Sequence, residues 1–358
     1  MDNSRFQDRA AGALMGAFIG DALGLGPHWY YDLDDLRRDH GDWISGYTTP
    51  RPGRYHAGMR AGELSQAGIL LRLTLDSLVE CGQYDEADFC RRMDKDVFPL
   101  LDGSPMQGPG GYTSQSIRET WRLRVDQGRP WGECGGHADT TEAIERTLAI
   151  ALRYALQPAR LADAVARNTR LTQIEPMLVS MTVAYGAVLA QLVQGEALDA
   201  TLSGKLMRLV KSGALPFHAV TSAGLHPPGR EEHPTAGSFA SPDALLTPSF
   251  IAEAAADPGV CIEPAWKVSL VYGMPCAIYH VLPAAYYLGA RFSTDFEAGV
   301  LHAINGGGQN LSRAMLTGAL IGAQTGLSGI PRRFIDGLED GAALRELALR
   351  LARQAEAT

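Results

Sequence analysis

A histidine beside three aromatic residues and an aspartate is the first group in the sequence that could carry out chemistry. Residues 26–32 read GPHWYYD, so His28 follows directly on a Gly-Pro turn. A neutral imidazole near pH 7 can accept or donate a proton, and Asp32 could fix its tautomer through a hydrogen bond. The alternative is a packed aromatic turn with a hydrogen-bonded histidine. We therefore treat His28 and Asp32 as catalytic candidates.

A glycine triplet near the end of the chain opens a long helical pattern and offers a place for a ligand. Gly307 and Gly308 would let backbone N–H groups approach a ligand at the positive end of a helix. The next two residues, Gln309 and Asn310, add polar side chains, and Arg313 could pair with a phosphate or carboxylate one turn later. The alternative is a helix entry that needs flexible backbone angles. We expect these five residues to bind substrate.

Two further positions have both a chemical and a structural explanation. Tyr112 follows the run GPGG and could stack on a base or a sugar ring, or pack its own loop. Asp139 could act as an acid or base, but with Glu142 it also forms the capping-box pattern of a helix start. Both alternatives stay open for each residue.

Helices must position these residues, because apolar residues recur at helical spacing almost everywhere. Ala11, Leu14, Met15, Phe18 and Ala22 show this spacing near the start of the chain. The alternation of a half-buried strand is nearly absent. The capping-box pattern of residues 294–297 marks another helix start. The sequence therefore predicts an all-α protein.

Two stretches interrupt the helical pattern, residues 103–112 and the longer segment 212–249, which is rich in Pro, Gly and His. Long loops within a compact domain are either functional lids or loosely ordered segments, and both remain open for 212–249. Neither stretch has the composition of a linker, and no fixed repeat is present. We expect one domain over residues 1–358.

The amino-acid composition limits the kinds of partner that we expect for this protein. The chain has 358 residues, 46% of them hydrophobic, and 32 basic against 40 acidic residues give a net charge of −8. The scattered positive charge argues against nucleic acid, and the longest apolar runs are interrupted by Gly, Pro or charge, which argues against a membrane span. Five widely spaced cysteines without a CxxC pair favour a reducing compartment and no structural zinc. We expect a cytoplasmic protein with a small-molecule partner.

Two motifs at opposite ends of the chain resemble ADP-ribosylglycohydrolases. Residues 12–24 read GALMGAFIGDALG, similar to the family's small-residue opening helix, and residues 303–323 read AINGGGQNLSRAMLTGALIGA, similar to its C-terminal motif and following helix. Residues 139–152 and 172–191 resemble the family's middle helices. The resemblance implies an orthogonal all-α bundle in which Gln66, Tyr112, Gln309 and Asn310 line a cleft beside His28.

The resemblance also implies two Mg²⁺ ions held by aspartates, and here the sequence departs from the family. The early metal stretch corresponds to residues 65–68, SQAG, and the late one to residues 309–312, QNLS. Gln66 and Gln309 carry only neutral carbonyl oxygens, whereas Mg²⁺ pairs normally need carboxylates to compensate their charge. We expect the Mg²⁺ pair to be absent and predict no other cofactor.

Two functions are compatible with this pattern. The first is a hydrolase of an N- or O-glycosidic bond in an ADP-ribose-like or nucleoside-like molecule, with His28 or Asp139 as acid or base. The second is a catalytically inactive ligand-binding or structural protein, because the HWYYD string together with Gln309, Asn310 and Arg313 resembles the branch of the jellyfish J-type crystallins. The lost aspartates favour the second, and the polar residues kept at every cleft motif favour the first.

Overall fold

The computed structural model describes residues 3–217, 239 and 243–357, and in these ranges the chain is all-α, as predicted. Apart from isolated bridges between single residues, the described chain contains no β-structure. The helices are α1 (Asn3–Leu25), α2 (Leu33–His40), α3 (Gln66–Cys81), α4 (Glu86–Arg92), α5 (Gln115–Trp121), α6 (Glu142–Arg153), α7 (Pro158–Arg170), α8 (Pro176–Val193), α9 (Leu202–Lys211), α10 (Asp243–Ala256), α11 (Val268–Tyr272), α12 (Ile278–Arg291), α13 (Phe296–Ile304), α14 (Asn310–Thr325), α15 (Arg332–Asp336) and α16 (Gly341–Glu356).

The first helix and α14 pack with their backbones in contact, and this contact sets the position of the site. Gly16 of α1 lies so close to Gly318 that a Cβ atom on it would be 2.1 Å from the Gly318 carbonyl oxygen. Gly12 and Gly20 meet α14 in the same way, at Gly322 and Ala314. The pairing runs in opposite directions along the two helices. The C-terminal end of α1 therefore meets the N-terminal end of α14.

One continuous hydrophobic core includes side chains from Phe6 to Ala355. The helix α8 has the length and apolar composition of a membrane span, but most of it is buried in this core, as expected for a core helix. A smaller apolar cluster lies beneath α4 and includes Phe89, Met93 and Phe98. The prediction of one domain over 1–358 stays a prediction.

Several boundaries differ from the sequence-based expectations. The helix α13 is capped by Asp295, whose side chain accepts from the Ala298 amide at 3.0 Å, so the predicted start at 294 was wrong by one residue. At α6 the N-cap is Thr141, whose side chain makes no capping hydrogen bond, so the predicted Asp139–Glu142 capping box was wrong. The predicted loop 212–249 is helical from residue 243 onward, and residues 218–238 and 240–242 lie outside the described chain.

Candidate active site

The candidate site is a cavity of about 130 Å³ at the point where the first turns of four helices meet the loop after α1. The α1–α14 contact brings His28 to Gln309, and α3, α5 and α6 close the other sides. The residues that line the cavity are His28, Trp29, His56, Ser65, Gln66, Ala67, Leu70, Tyr112, Ser114, Gln115, Arg118, Thr140, Glu142, Glu145, Cys276, Gln309, Leu311 and Ser312. Both stretches that correspond to the family's metal motifs therefore line one cavity, as the resemblance implies.

His28 is 3% exposed and lies at the centre of a hydrogen-bonded chain. Its Nδ1 is 2.7 Å from Nε2 of His56, and its Nε2 is 2.9 Å from Oε1 of Gln309. The other ring nitrogen of His56, Nδ1, is 2.5 Å from the Gly110 carbonyl oxygen. Burial lowers the pKa of His28 well below its usual range and lowers the pKa of His56 to about 4. Both rings are therefore neutral at pH 7.

Aromatic rings form one wall of the cavity. The ring centroids of Trp29 and Tyr112 are 5.1 Å apart, and Tyr55 lies edge-on to both. Trp29 (φ 60°) and His56 (φ 65°) have left-handed backbones, a conformation that bulky residues rarely adopt. Such strain persists only where the surrounding structure fixes it, and it concentrates at functional sites.

Gln66 holds the loop that carries Tyr112. Its Oε1 accepts from the Ser114 amide at 2.9 Å, and its Nε2 contacts the Thr113 hydroxyl at 3.4 Å. Gly110 (φ +74°) lies against the start of α3, where an added Cβ would be 2.2 Å from the Gln66 nitrogen. The glycine-rich segment 103–112 is thus a close-packed wall of the cavity, and it includes the 3₁₀ turn Pro109–Gly111.

Two glutamates on one face of α6 point into the cavity. Glu145 is 1% exposed and accepts a hydrogen bond from the Thr141 hydroxyl at 2.6 Å. Glu142 accepts from the Thr140 hydroxyl. Burial and the neighbouring Glu145 raise the pKa of Glu142 to about 7, and burial also raises the pKa of Glu145. Both carboxyl groups therefore hold a proton more readily than a free glutamate, and ionisation of one disfavours ionisation of the other.

A buried glutamine fixes the start of α6 and with it both glutamates. Oε1 of Gln173 accepts from the Ala143 amide at 2.9 Å, and its Nε2 donates to the carbonyl oxygens of Ala138 and Thr140 at 2.9 and 2.8 Å. All three bonds are fully buried. Gln173 therefore replaces the missing side-chain cap of this helix.

Two of the proposed catalytic residues lie outside the cavity. Asp32 is the N-cap of α2, where its side chain accepts from the amides of Asp34 and Asp35 at 2.8 and 3.2 Å. His56, and not Asp32, is the partner of His28. Asp139 is exposed, whereas the cavity on that side is lined by Thr140 and the two glutamates. The acid–base roles proposed for Asp32 and Asp139 are corrected accordingly.

The glycine triplet and Arg313 serve packing and do not form a ligand cradle. The Gly308 amide donates to the Tyr30 carbonyl at 2.7 Å, and a Cβ on Gly307 would be 2.5 Å from that same oxygen. Arg313 is 1% exposed and donates to the carbonyl oxygens of Ala303 and Gly307 at 2.9 and 2.7 Å. Gly307, Gly308 and Arg313 do not line the cavity, so the structure does not support their proposed substrate-binding roles.

Asn310 is buried behind the cavity wall. Its Nδ2 donates to the Gly24 carbonyl oxygen at 3.3 Å, which ties the start of α14 to the end of α1. The expectation that His28 and Asn310 share a pocket was therefore wrong, and the residue beside His28 is Gln309. Gln66, Tyr112 and Gln309 do line the cavity, and their contacts with substrate stay a proposal.

The oxygens at the two metal-motif positions do not match the needs of a Mg²⁺ pair. Oε1 of Gln66 already accepts from Ser114, and Oε1 of Gln309 accepts from the Trp29 indole. The Ser312 hydroxyl accepts from Nε2 of Gln309 at 2.7 Å. In the described ranges, no group of three or more His, Cys, Asp or Glu side chains is arranged to hold a metal. Mg²⁺ needs near-octahedral oxygen donors with compensating charge, which this set does not supply.

Sequence reasoning missed His56, Glu145 and Arg118, and it assigned Glu142 to capping. The loop 51–62, which carries His56, has no helical pattern to suggest its position. The spacing of Glu142 and Glu145, three residues apart on a helix, was the one available signal, because such residues share a face. That face would otherwise be apolar and buried, and a buried carboxylate that forms no direct salt bridge is a functional signal.

The fold and the cavity together define an all-α protein with an enclosed polar site built from helix N-termini. The chain matches the family model described as ADP-ribosylglycohydrolase over residues 2–358. It belongs to the ADP-ribosylglycohydrolase family, as the two terminal motifs indicated.

Two similar proteins cover nearly the whole chain. A protein from Archaeoglobus fulgidus, described as uncharacterized, is 23% identical over 345 residues, which is 96% of each chain. A solved structure titled ADP-ribosylglycohydrolase-related protein complex has a TM-score of 0.63 and 19% identity, and the match covers 98% of this chain and 99% of the other. At this identity the solved structure supports the fold. The likeness to the crystallin branch stays a prediction.

Proposed function

We propose that this protein hydrolyses an N- or O-glycosidic bond in a small ADP-ribose-like or nucleoside-like molecule and that it does so without the family's Mg²⁺ pair. The observation that carries the proposal is the glutamate pair in the cavity. Glycoside hydrolysis commonly uses two carboxyl groups, one protonated and one ionised. Burial raises the pKa of Glu142 to about 7 and also raises the pKa of Glu145, and we place the proton on Glu142 and the negative charge on Glu145.

In the proposed reaction Glu142 donates its proton to the leaving atom of the glycosidic bond. The positive charge that develops on the sugar ring is stabilised by the Glu145 carboxylate, since a buried negative charge acts strongly at low local dielectric. Trp29 and Tyr112 offer aromatic faces for the sugar or its base. Proton transfer from a positioned acid contributes about 10²- to 10⁴-fold to the rate.

The size of the cavity limits what it can enclose. A volume of about 130 Å³ accommodates roughly one ring, since an apolar cavity of about 150 Å³ holds benzene. The sugar at the scissile bond is therefore the part that we place inside. The remainder of the molecule would lie at the mouth, near Arg118, whose guanidinium is 5.9 Å from the centre of the Tyr112 ring.

The test is a hydrolysis assay on ADP-ribosyl-arginine and on simple nucleosides, in EDTA and in Mg²⁺, with released sugar and base separated by chromatography. We expect turnover in EDTA and a loss of about 10²-fold or more in Glu142→Gln. Glu253→Gln, an exposed glutamate of α10, is the control and should keep full activity.

Two results would overturn the proposal. Strictly Mg²⁺-dependent turnover would show that metal does the chemistry. Binding of these molecules without release of sugar by the wild-type protein would favour the alternative of an inactive ligand-binding protein.

A further inference from the structure

Five groups at the cavity form one hydrogen-bonded chain. It runs from the Gly110 carbonyl through His56 and His28 to Gln309 and ends at the Ser312 hydroxyl. The two imidazoles thus lie between a backbone carbonyl at one end and a side-chain amide at the other.

The neighbours of Gln309 fix the orientation of its amide. Its Oε1 faces the Trp29 indole Nε1, which can only donate. Its Nε2 donates to the Ser312 hydroxyl at 2.7 Å. With the amide reversed, the Trp29 N–H would face an NH₂ group. The atom that Gln309 presents to His28 is therefore an oxygen, which accepts.

Two neutral imidazoles carry one ring N–H group fewer than their three hydrogen-bonding contacts require. The Gly110 carbonyl needs an N–H from His56, and Gln309 needs an N–H from His28. The contact between the rings, 2.7 Å long, needs a third. Two neutral imidazoles carry only two ring N–H groups. One of the three contacts therefore brings two lone pairs together, and a single added proton satisfies all three.

We infer that His28 and His56 act as one proton acceptor, in which a single proton taken from the attacking water completes the hydrogen-bonded chain. The inference rests on the proposed hydrolysis. As the glycosidic bond breaks, the leaving atom takes the Glu142 proton, and the water oxygen bonds to the sugar carbon while its proton passes to His28. The proton then returns from the imidazole pair to the Glu142 carboxylate through solvent. His28 is the catalytic residue, and His56 positions it and shares the charge.

The surroundings leave the pair neutral until that proton arrives. Tyr55, Trp29 and Tyr112 cover the rings with aromatic groups, which do not hydrate a charge. Burial accordingly lowers the pKa of both histidines. The ionisable groups that line the same cavity are Glu142 and Glu145 on α6, Arg118 on α5, Tyr112 before α5 and Cys276 before α12.

The strained backbone at position 56 gives a second, independent sign that this histidine is placed for a purpose. His56 has φ 65°, a left-handed backbone conformation that is strained for most residues other than glycine and asparagine. Asparagine tolerates that conformation best. His56→Asn is therefore a variant that should fold while it removes the second imidazole.

The experiment is a pH titration of the ligand-free protein by ¹⁵N NMR with labelled histidine. We expect the rings of His28 and His56 to move at one common midpoint below pH 6.5, with about half of the full change in each ring. In His56→Asn, His28 should titrate alone with the full change. Gln309→Glu should raise the common midpoint by about 1 to 3 pH units, because a carboxylate there favours the charged pair. His137→Asn, at an exposed histidine, should leave the pair unchanged.

Two separate midpoints, each with a full change in one ring, would overturn the inference, as would an unmoved midpoint in a folded Gln309→Glu protein. Melting temperatures of all variants establish folding. Because no ligand is needed, the titration can fail while hydrolysis is observed, and hydrolysis can fail while the shared proton is observed. Where turnover is found, His56→Asn should also shift the acidic limb of kcat/KM against pH, which a purely structural residue would not do.

Discussion

The first prediction concerns stability: the buried carboxyl group of Glu142, which we propose as the catalytic acid, should destabilise the folded protein when it ionises. Glu142→Gln keeps the shape of the side chain and removes its charge. The wild-type pKa rises from its ordinary 4.5 to about 7 because burial and Glu145 disfavour the ionised form. The unfavourable contribution of Glu142 to stability is therefore absent below about pH 4.5, grows as the pH rises from there and is complete above about pH 7, where the carboxylate is ionised inside the protein.

The size of the effect follows from that shift. A rise from 4.5 to about 7 corresponds to about 3 kcal/mol of lost stability above pH 7. The side chain is partly open to the cavity, so water screens some of this, and we expect about 2 kcal/mol. Glu142→Gln should therefore be more stable than the wild type at pH 8, with the difference shrinking toward zero as the pH falls to about 4.5.

Urea unfolding at several pH values between 4.5 and 8.5 measures this directly, from the midpoint and slope of each transition. Glu253→Gln, at an exposed position, should show no such difference. A Glu142→Gln protein that is equally or less stable than the wild type at pH 8 would refute the buried-pair reasoning. The same variant should lose hydrolysis, so stability and activity should change in opposite directions.

Three further predictions concern packing, positioning and metal. Gly16→Ala should lower the free energy of unfolding by about 3 kcal/mol, because its Cβ would lie 2.1 Å from the Gly318 carbonyl oxygen. Gly204→Ala, on the open side of α9, should raise the free energy of unfolding by about 0.5–1 kcal/mol. Equal changes for Gly16→Ala and Gly204→Ala in urea unfolding would contradict the close contact between α1 and α14. Gln173→Leu removes three buried hydrogen bonds and should lower the free energy of unfolding by about 3 kcal/mol in the same assay. A decrease below about 1 kcal/mol would be too small for a residue that fixes the start of α6. Millimolar Mg²⁺ should leave the melting temperature unchanged against EDTA, whereas a site of ~10 μM affinity would add ~2.7 kcal/mol at ~1 mM.

The sequence alone was sufficient for the fold class and the family, because both depend on local patterns. Apolar residues at helical spacing predict helices wherever the chain folds them. The small residues of 12–24 and 303–323 identify two helices that can approach closely, and the structure shows their backbones in contact at Gly16 and Gly318. From that contact follows the meeting of His28 with Gln309, which the resemblance to the family had implied.

Only the tertiary structure decided which polar residues work in the cavity and which support its walls. Arg313 and Gln309 lie one helical turn apart, yet α14 turns the first into the core and the second toward His28. Nothing in the sequence around Glu142 and Glu145 shows that these carboxyl groups are buried, because their burial depends on the helices packed around α6. His56 reaches His28 from a loop with no regular pattern. Contacts of this kind arise from packing between distant segments, so no spacing in the sequence could specify them.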